Sequence, residues 1–136
     1  MTLRVHTARI GSRQARASDD VLDITRKSGK DLGIVFAPSW TILNPALYVR
    51  NRAAEIRARD PEHAREMEER SWRTYRDAYG NEMRESYRAH RARWDELLAR
   101  ESVTLVCYCP DLRCHRTLLG QLILPKLGAI YVGEKA

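Results

Sequence analysis

A chain of 136 residues with 43% hydrophobic and 31% charged content can build one globular core, which excludes a disordered or low-complexity protein. No run of about 18 apolar residues occurs, so no membrane-spanning helix and no membrane partner is expected. The net charge is +6, and 20 of the 24 basic residues are arginine. The planar guanidinium suits phosphate and carboxylate, so an anionic ligand fits the excess, although a GC-rich coding bias would leave the same mark.

In chain order, residues 3–8 alternate apolar and polar and predict a first strand, broken by Gly11 and Ser12. Residues 12–19 read as a loop or a short helical turn. Val21, Leu22 and Ile24 predict a second strand running into Thr25-Arg26-Lys27-Ser28-Gly29, and a glycine-bearing loop with the apolar Ile34-Val35-Phe36 leads to Ser39-Trp40. Asn44-Pro45 is an N-cap with proline at the first helical position, and predicts a helix to about Arg59. Asp60-Pro61 repeats the signal, Gly80 is the expected stop, and Asn81 is the expected cap of a third helix reaching Leu98. A strand over 103–108, a helix over 115–127 and a last strand over 129–132 follow.

The expectation is one α/β domain over residues 1–136, a Rossmann-like three-layer sandwich with a mostly parallel sheet of about four or five strands and a helical insertion at about 45–100. Glu62–Arg65 and Glu66–Arg70 illustrate the mixed charges of the insertion, which suit a solvated face better than a nucleic-acid surface. Trp72, Tyr75, Tyr79 and Trp94 could form a homodimer face or simply core.

All three cysteines fall within VTLVCYCPDLRCHRTLLG, residues 103–120. The N-terminus, MTLRVHTARIG, carries charges where a signal peptide needs an apolar stretch, so a cytoplasmic protein with reduced thiols is expected. That favours reactive or metal-binding cysteines over a structural disulfide. Period two puts Cys107 and Cys109 on one face of the strand, with Tyr108 on the other, and Cys114-His115 follows a Pro110-Asp111 turn. Cys107, Cys109, Cys114 and His115 form a C-x-C-x4-C-H array that could hold zinc, the only cofactor the residues suggest. Cys114 alone, with Arg116 two positions on, could be a nucleophile, a ligand contact or a small core filler. His115 could serve catalysis or bond a backbone carbonyl, and Arg116 could bind ligand or pair with Asp111. Cys107 and Cys109 could also form a redox pair.

Two further strand ends carry polar and cationic groups: Thr7, Arg9, Gly11 and Ser12 after the first, and Asp23, Thr25, Arg26, Lys27 and Ser28 after the second. In a parallel sheet these ends would converge with Cys107, Tyr108 and Cys109 in one pocket that solvent reaches. Ser39 lies before the first long helix, and Trp40 could stack a base or pack in the core.

The phrase LVCYCPDLRCHRTLL, with the LDITR and VHTARIG segments before it, resembles the domain-of-unknown-function family four-eight-eight. Its members show an opening strand ending in a small-residue turn, a second strand ending Asp-Val-Arg, and a late strand ending Cys-Ala-Glu before a Cys-His-Arg helix start. The matching positions are Gly11; Asp23, Ile24 and Arg26, with Thr25 inserted; Cys107; and Cys114, His115 and Arg116. Cys109 stands where the family has glutamate. The resemblance implies a Rossmann-like fold and a nucleotide- or nucleoside-related ligand.

Three functions remain in view: a nucleotide- or nucleoside-binding protein of bacterial or phage origin, acting as an enzyme through Cys114, His115 and Arg116; a non-catalytic phage-type protein that sequesters a nucleotide signal; and a zinc-stabilised or nucleic-acid-binding module.

Overall fold

Strand residues with two buried faces need apolar or satisfied side chains at every position, and the segment SVTLVC meets that demand. In the computed structural model, which describes residues 2–109 and 113–135, this segment is the third strand of a four-stranded sheet. The strands are β1 (Arg4–Arg9), β2 (Val21–Asp23), β3 (Ser102–Cys107) and β4 (Ile130–Glu134), in the order β2-β3-β1-β4. Every pairing is parallel, with Arg9 beside Cys107 and Val21 beside Thr104. Residues 103–107 are all buried, as a central strand covered on both sides requires.

Helices close the two faces. The helical run from His115 to Leu127 lies on the face formed by Val5, Thr7 and Leu105, and it approaches so closely that a Cβ on Gly120 would stand 3.2–3.5 Å from those three side chains. On the opposite face, α1 (Arg13–Arg16) sets Ala15 against Ala8 and Val106. The fold is thus the expected α/β Rossmann-like three-layer sandwich. Contact density divides the chain into two units, Met1–Ala37 with Met83–Ala136, which holds the sheet, and Pro38–Glu82, which is helical.

Several boundaries differ from expectation. The first long helix, α2 (Trp40–Ile56), starts after Ser39, whose carbonyl accepts from the N–H groups of Ile42 and Leu43. Asn44-Pro45 is therefore not its start; Pro45 sits in the second turn and removes one bond to the exposed Thr41. Gly80 does not stop a helix and Asn81 does not cap one, because α3 (Pro61–Ala89) runs through both. Tyr75, Tyr79 and Met83 recur every four residues on one buried stripe, and burying each large side chain gains roughly 1.5–3 kcal/mol against about 1 kcal/mol lost at glycine. The break falls at His90, where φ is −129° and ψ 39°, before α4 (Arg91–Leu98).

Gly33–Phe36 forms a 3-10 turn rather than a plain loop, and Phe36 meets Trp94 edge-on at 4.7 Å. The Trp94 indole N–H donates to Ser86 Oγ at 3.0 Å. Tyr75, Tyr79 and Trp94 are all core. The run over 115–127 is not a uniform α-helix: α5 (His115–Thr117) widens into a π segment (Leu118–Ile123) and tightens into a 3-10 turn (Leu124–Leu127).

In the helical unit, Ala53, Ile56 and Ala64 pack together with Met67. Its surface ion pairs, such as Arg52–Glu55 at 2.9 Å, are solvent-exposed and contribute little. Among the described residues no helix is long and apolar enough to cross a membrane.

Candidate functional site

The connection after β1 leaves toward α1 on one face, and the connection after β3 leaves toward α5 on the other. Because β1 and β3 are neighbours, their carboxyl ends form the topological switch point, the place where open α/β sheets bind ligands. Arg9 and Cys107 are paired at that rim, and the Ile10 N–H donates to the Cys107 carbonyl at 2.8 Å just beyond it. Gly11 makes the exit from β1: its φ of +75° completes a turn closed by the Ser12 N–H on the Arg9 carbonyl at 3.1 Å.

Beneath the rim, Cys107, Cys114, His115 and Arg116 converge. Cys107 and Cys114 are joined by a disulfide in this structure, where the sequence led to an expectation of reduced thiols, and their Cα atoms are 7.8 Å apart. His115 Nε2 lies 2.8 Å from the carbonyl of Ile24, one residue past β2. A carbonyl only accepts, so Nε2 carries the proton and Nδ1 presents a lone pair, 3.5 Å from the Cys114 sulfur. Burial lowers the imidazole to a pKa of about 4; the Ile24 carbonyl opposes the shift, and the Arg116 charge adds to it. The ring is therefore neutral at physiological pH.

Arg116 is only 1% exposed, yet every part of its guanidinium is engaged. Nε and Nη2 donate to the two carboxylate oxygens of Glu134 at 3.2 and 2.9 Å, a bidentate pair. Nη1 donates to the Cys107 sulfur at 3.0 Å and to the Cys109 carbonyl at 2.9 Å. Burial raises the Glu134 carboxyl, but hydrogen bonds from Arg116 and Thr7 together with the Arg116 charge outweigh it, and the group lies below its ordinary range.

The other expected residues divide. Thr7 is buried and shares a hydrogen bond with the Tyr131 hydroxyl at 3.0 Å, so it supports the sheet from within. Arg9 is exposed at the rim. Asp23, Thr25 and Ser28 close on one another: Asp23 Oδ1 accepts from the Thr25 N–H and hydroxyl at 2.9 and 2.7 Å, and Ser28 Oγ donates to Oδ2. Arg26 reaches the Ala37 carbonyl at 3.0 Å, whereas Lys27 is exposed. Tyr108 is 48% exposed and donates to Ser28 Oγ at 2.8 Å, tying the β3 tip to the β2 tip. Ser39 and Trp40 belong to the helical unit, where Ser39 donates to Glu82 and Trp40 is half-exposed rather than core.

Two expectations need revision. The cluster is not an open wall of the pocket, because its four residues are 0–4% exposed. Its thiol pair is Cys107 with Cys114; Cys109 stands outside the group that brings two sulfurs and an imidazole nitrogen within 4.8 Å. The proposed Arg116–Asp111 pair falls on a residue outside the described ones, and Glu134 holds Arg116 instead.

Sequence reasoning missed Glu134 and Tyr131, which reach the site only because β4 pairs with β1. It also missed why the β2 turn needs its glycines. A Cβ on Gly29 would meet the Thr25 carbonyl oxygen at 2.4 Å, and one on Gly33 the Asp23 carbonyl oxygen at 2.0 Å.

The architecture defines the class: a parallel α/β protein with a buried thiol–imidazole–guanidinium cluster at its topological switch point. The family profile DUF488-N3a, described as the active DUF488-N3 subclade, matches residues 3–127. The chain belongs to this family. No curated protein and no solved structure matches it closely enough to count as a relative.

Proposed function

We propose that the protein is an enzyme that binds a nucleoside or nucleotide at the carboxyl ends of β1 and β3. The observation that carries this reading is the switch point itself, with Arg9 and Tyr108 at its lip and the Cys107–Cys114–His115–Arg116 cluster under it. An exposed guanidinium suits an anionic group, and a half-exposed phenol suits stacking against a base. Description of the family as an active subclade supports catalysis, with Cys114, His115 and Arg116 as the candidate groups.

Calorimetric titration with a panel of nucleosides and nucleotides tests the reading. The expected result is binding below millimolar concentration, weakened about tenfold by Arg9→Ala, which corresponds to roughly 1.4 kcal/mol. Absence of binding by every member at millimolar concentration, with Arg9→Ala behaving as wild type, would refute it.

Burial of both clustered thiols, together with Cys109 in place of the family's glutamate, favours a second reading, a non-catalytic protein that sequesters the same ligand. Recovery of the bound molecule unchanged after prolonged incubation supports sequestration, and any product eliminates it.

A further inference from the structure

We propose that, once the disulfide between them is reduced, Cys107 and Cys114 join His115 in binding one thiophilic divalent ion, zinc by its chemistry, through the two sulfurs and the imidazole Nδ1. The inference goes beyond the nucleotide reading and does not depend on it.

Three independent features carry it. First, the three ligand atoms lie within 4.8 Å of one another, and all three residues are buried. Second, the histidine is already oriented as a metal ligand. Its Nε2–H is spent on the Ile24 carbonyl, which fixes the tautomer and turns the Nδ1 lone pair toward the sulfurs. Ligating histidines are held by this kind of backbone partner on the far nitrogen. Third, the Cys107–Cys114 disulfide shows that the fold brings both sulfurs to one point, so its reduction leaves two thiols side by side next to Nδ1.

Charge supports the assignment. A thiol reductant first supplies the two electrons and two protons that open the disulfide; binding then releases the two thiol protons and puts one divalent cation in their place, with the imidazole contributing its lone pair as a neutral ligand. The net charge of the buried cluster is unchanged by this exchange. Arg116 is balanced separately by Glu134, and its Nη1–H on the Cys107 sulfur is an outer hydrogen bond to a ligand. Three protein ligands leave a fourth tetrahedral position for water or a bound molecule, the arrangement of catalytic rather than structural zinc. Cys109 stands outside the group and is not needed.

The full chain, purified under reducing conditions, should carry about one equivalent of zinc by elemental analysis. After stripping with chelator, titration with cobalt(II) should give thiolate-to-cobalt charge transfer and the visible bands of a tetrahedral centre, saturating at one equivalent. Cys109→Ser should retain both signals. Cys107→Ser, Cys114→Ser and His115→Asn should each weaken cobalt binding at least tenfold. Less than about a tenth of an equivalent of zinc, together with no thiolate–cobalt band in reduced wild-type protein, would overturn the proposal even if the ligand variants fail to fold. So would loss of the cobalt band in Cys109→Ser protein that is folded by circular dichroism. Since metal is measured without nucleotide, a chain that holds zinc but binds no nucleoside sinks only the nucleotide reading, and the reverse result sinks only this one.

Discussion

The tips of β2 and β3 look alike in the sequence, each an apolar strand running into a polar, cationic turn, yet they fold by opposite rules. After β2, Asp23, Thr25 and Ser28 bond to one another within five residues, and a single bond from Tyr108 to Ser28 reaches them from afar. After β3, the partners come from afar: His115 bonds to Ile24, 91 residues away, and Arg116 to Glu134 on the last strand. A turn that meets its own hydrogen-bonding needs has little left for a ligand. A cluster held by distant elements takes its geometry from the whole sheet rather than from its own turn. The difference shows that polar composition at a strand end does not by itself define a site; what matters is whether the polar groups are consumed locally.

Substitutions can break or sharpen this contrast, and the largest effect is expected at Gly33. Its position leaves no room for a Cβ beside the Asp23 carbonyl, so Gly33→Ala should destabilise by about 3 kcal/mol or more, measured by denaturant unfolding. Glu134→Ala comes next. It strips the carboxylate from a guanidinium that is 1% exposed and should cost about 3 kcal/mol, the low end for a broken buried pair because Glu134 itself is 21% exposed. In reduced protein it should also change the alkylation rate of Cys107, followed by mass spectrometry, since Arg116 would be free to reposition. Ser28→Ala should cost roughly 1–2 kcal/mol through loss of its bonds to Asp23 and Tyr108, while the alkylation rate stays as in wild type. If Ser28→Ala altered that rate as much as Glu134→Ala, the two tips would not be separate systems. The smallest effect belongs to Tyr108→Phe, about 0.5–1 kcal/mol for one exposed hydroxyl bond.

Acid should act on the β3 side of the contrast. The Glu134 carboxyl lies below its ordinary 4.5, and Asp20 below 3.8: burial pushes Asp20 up, but hydrogen bonds from Thr104 and Ser102 and the charge of Lys135 outweigh it. For both groups the unfolded chain takes up protons first as pH falls. Their contribution is therefore complete above these ordinary values and is lost as pH drops below them. The denaturation midpoint should begin to fall below about pH 6.5, where the unfolded chain protonates His115 while the buried ring stays neutral, and should fall more steeply beneath about 4.5, where the carboxylates join. In Glu134→Gln that fall should be shallower.

Much of this was legible in the sequence where local pattern governs. Period-two alternation located β1, an unbroken apolar run located β3, and parallel α/β order brought the three strand ends to one rim. Cys-His-Arg after a strand cysteine pointed to the cluster. Punctuation misled where tertiary burial overrode it: the stripe through Tyr75, Tyr79 and Met83 carried α3 across Gly80. Glu134 had no local signal, because its role follows only from the pairing of β4 with β1. Likewise the choice of Cys114 over Cys109 as the partner of Cys107 depends on where the chain returns after its turn, which spacing alone does not encode.

What this protein binds, it binds at the carboxyl ends of β1 and β3. A crystal structure of the reduced protein grown with its best-binding nucleoside or nucleotide tests that claim directly. Density over Cys107, in reach of Arg9 and Tyr108, is the predicted result. Density confined to the apolar groove of the helical unit lined by Ile42, Val49, Met67 and Tyr75, with the sheet rim empty, would contradict it.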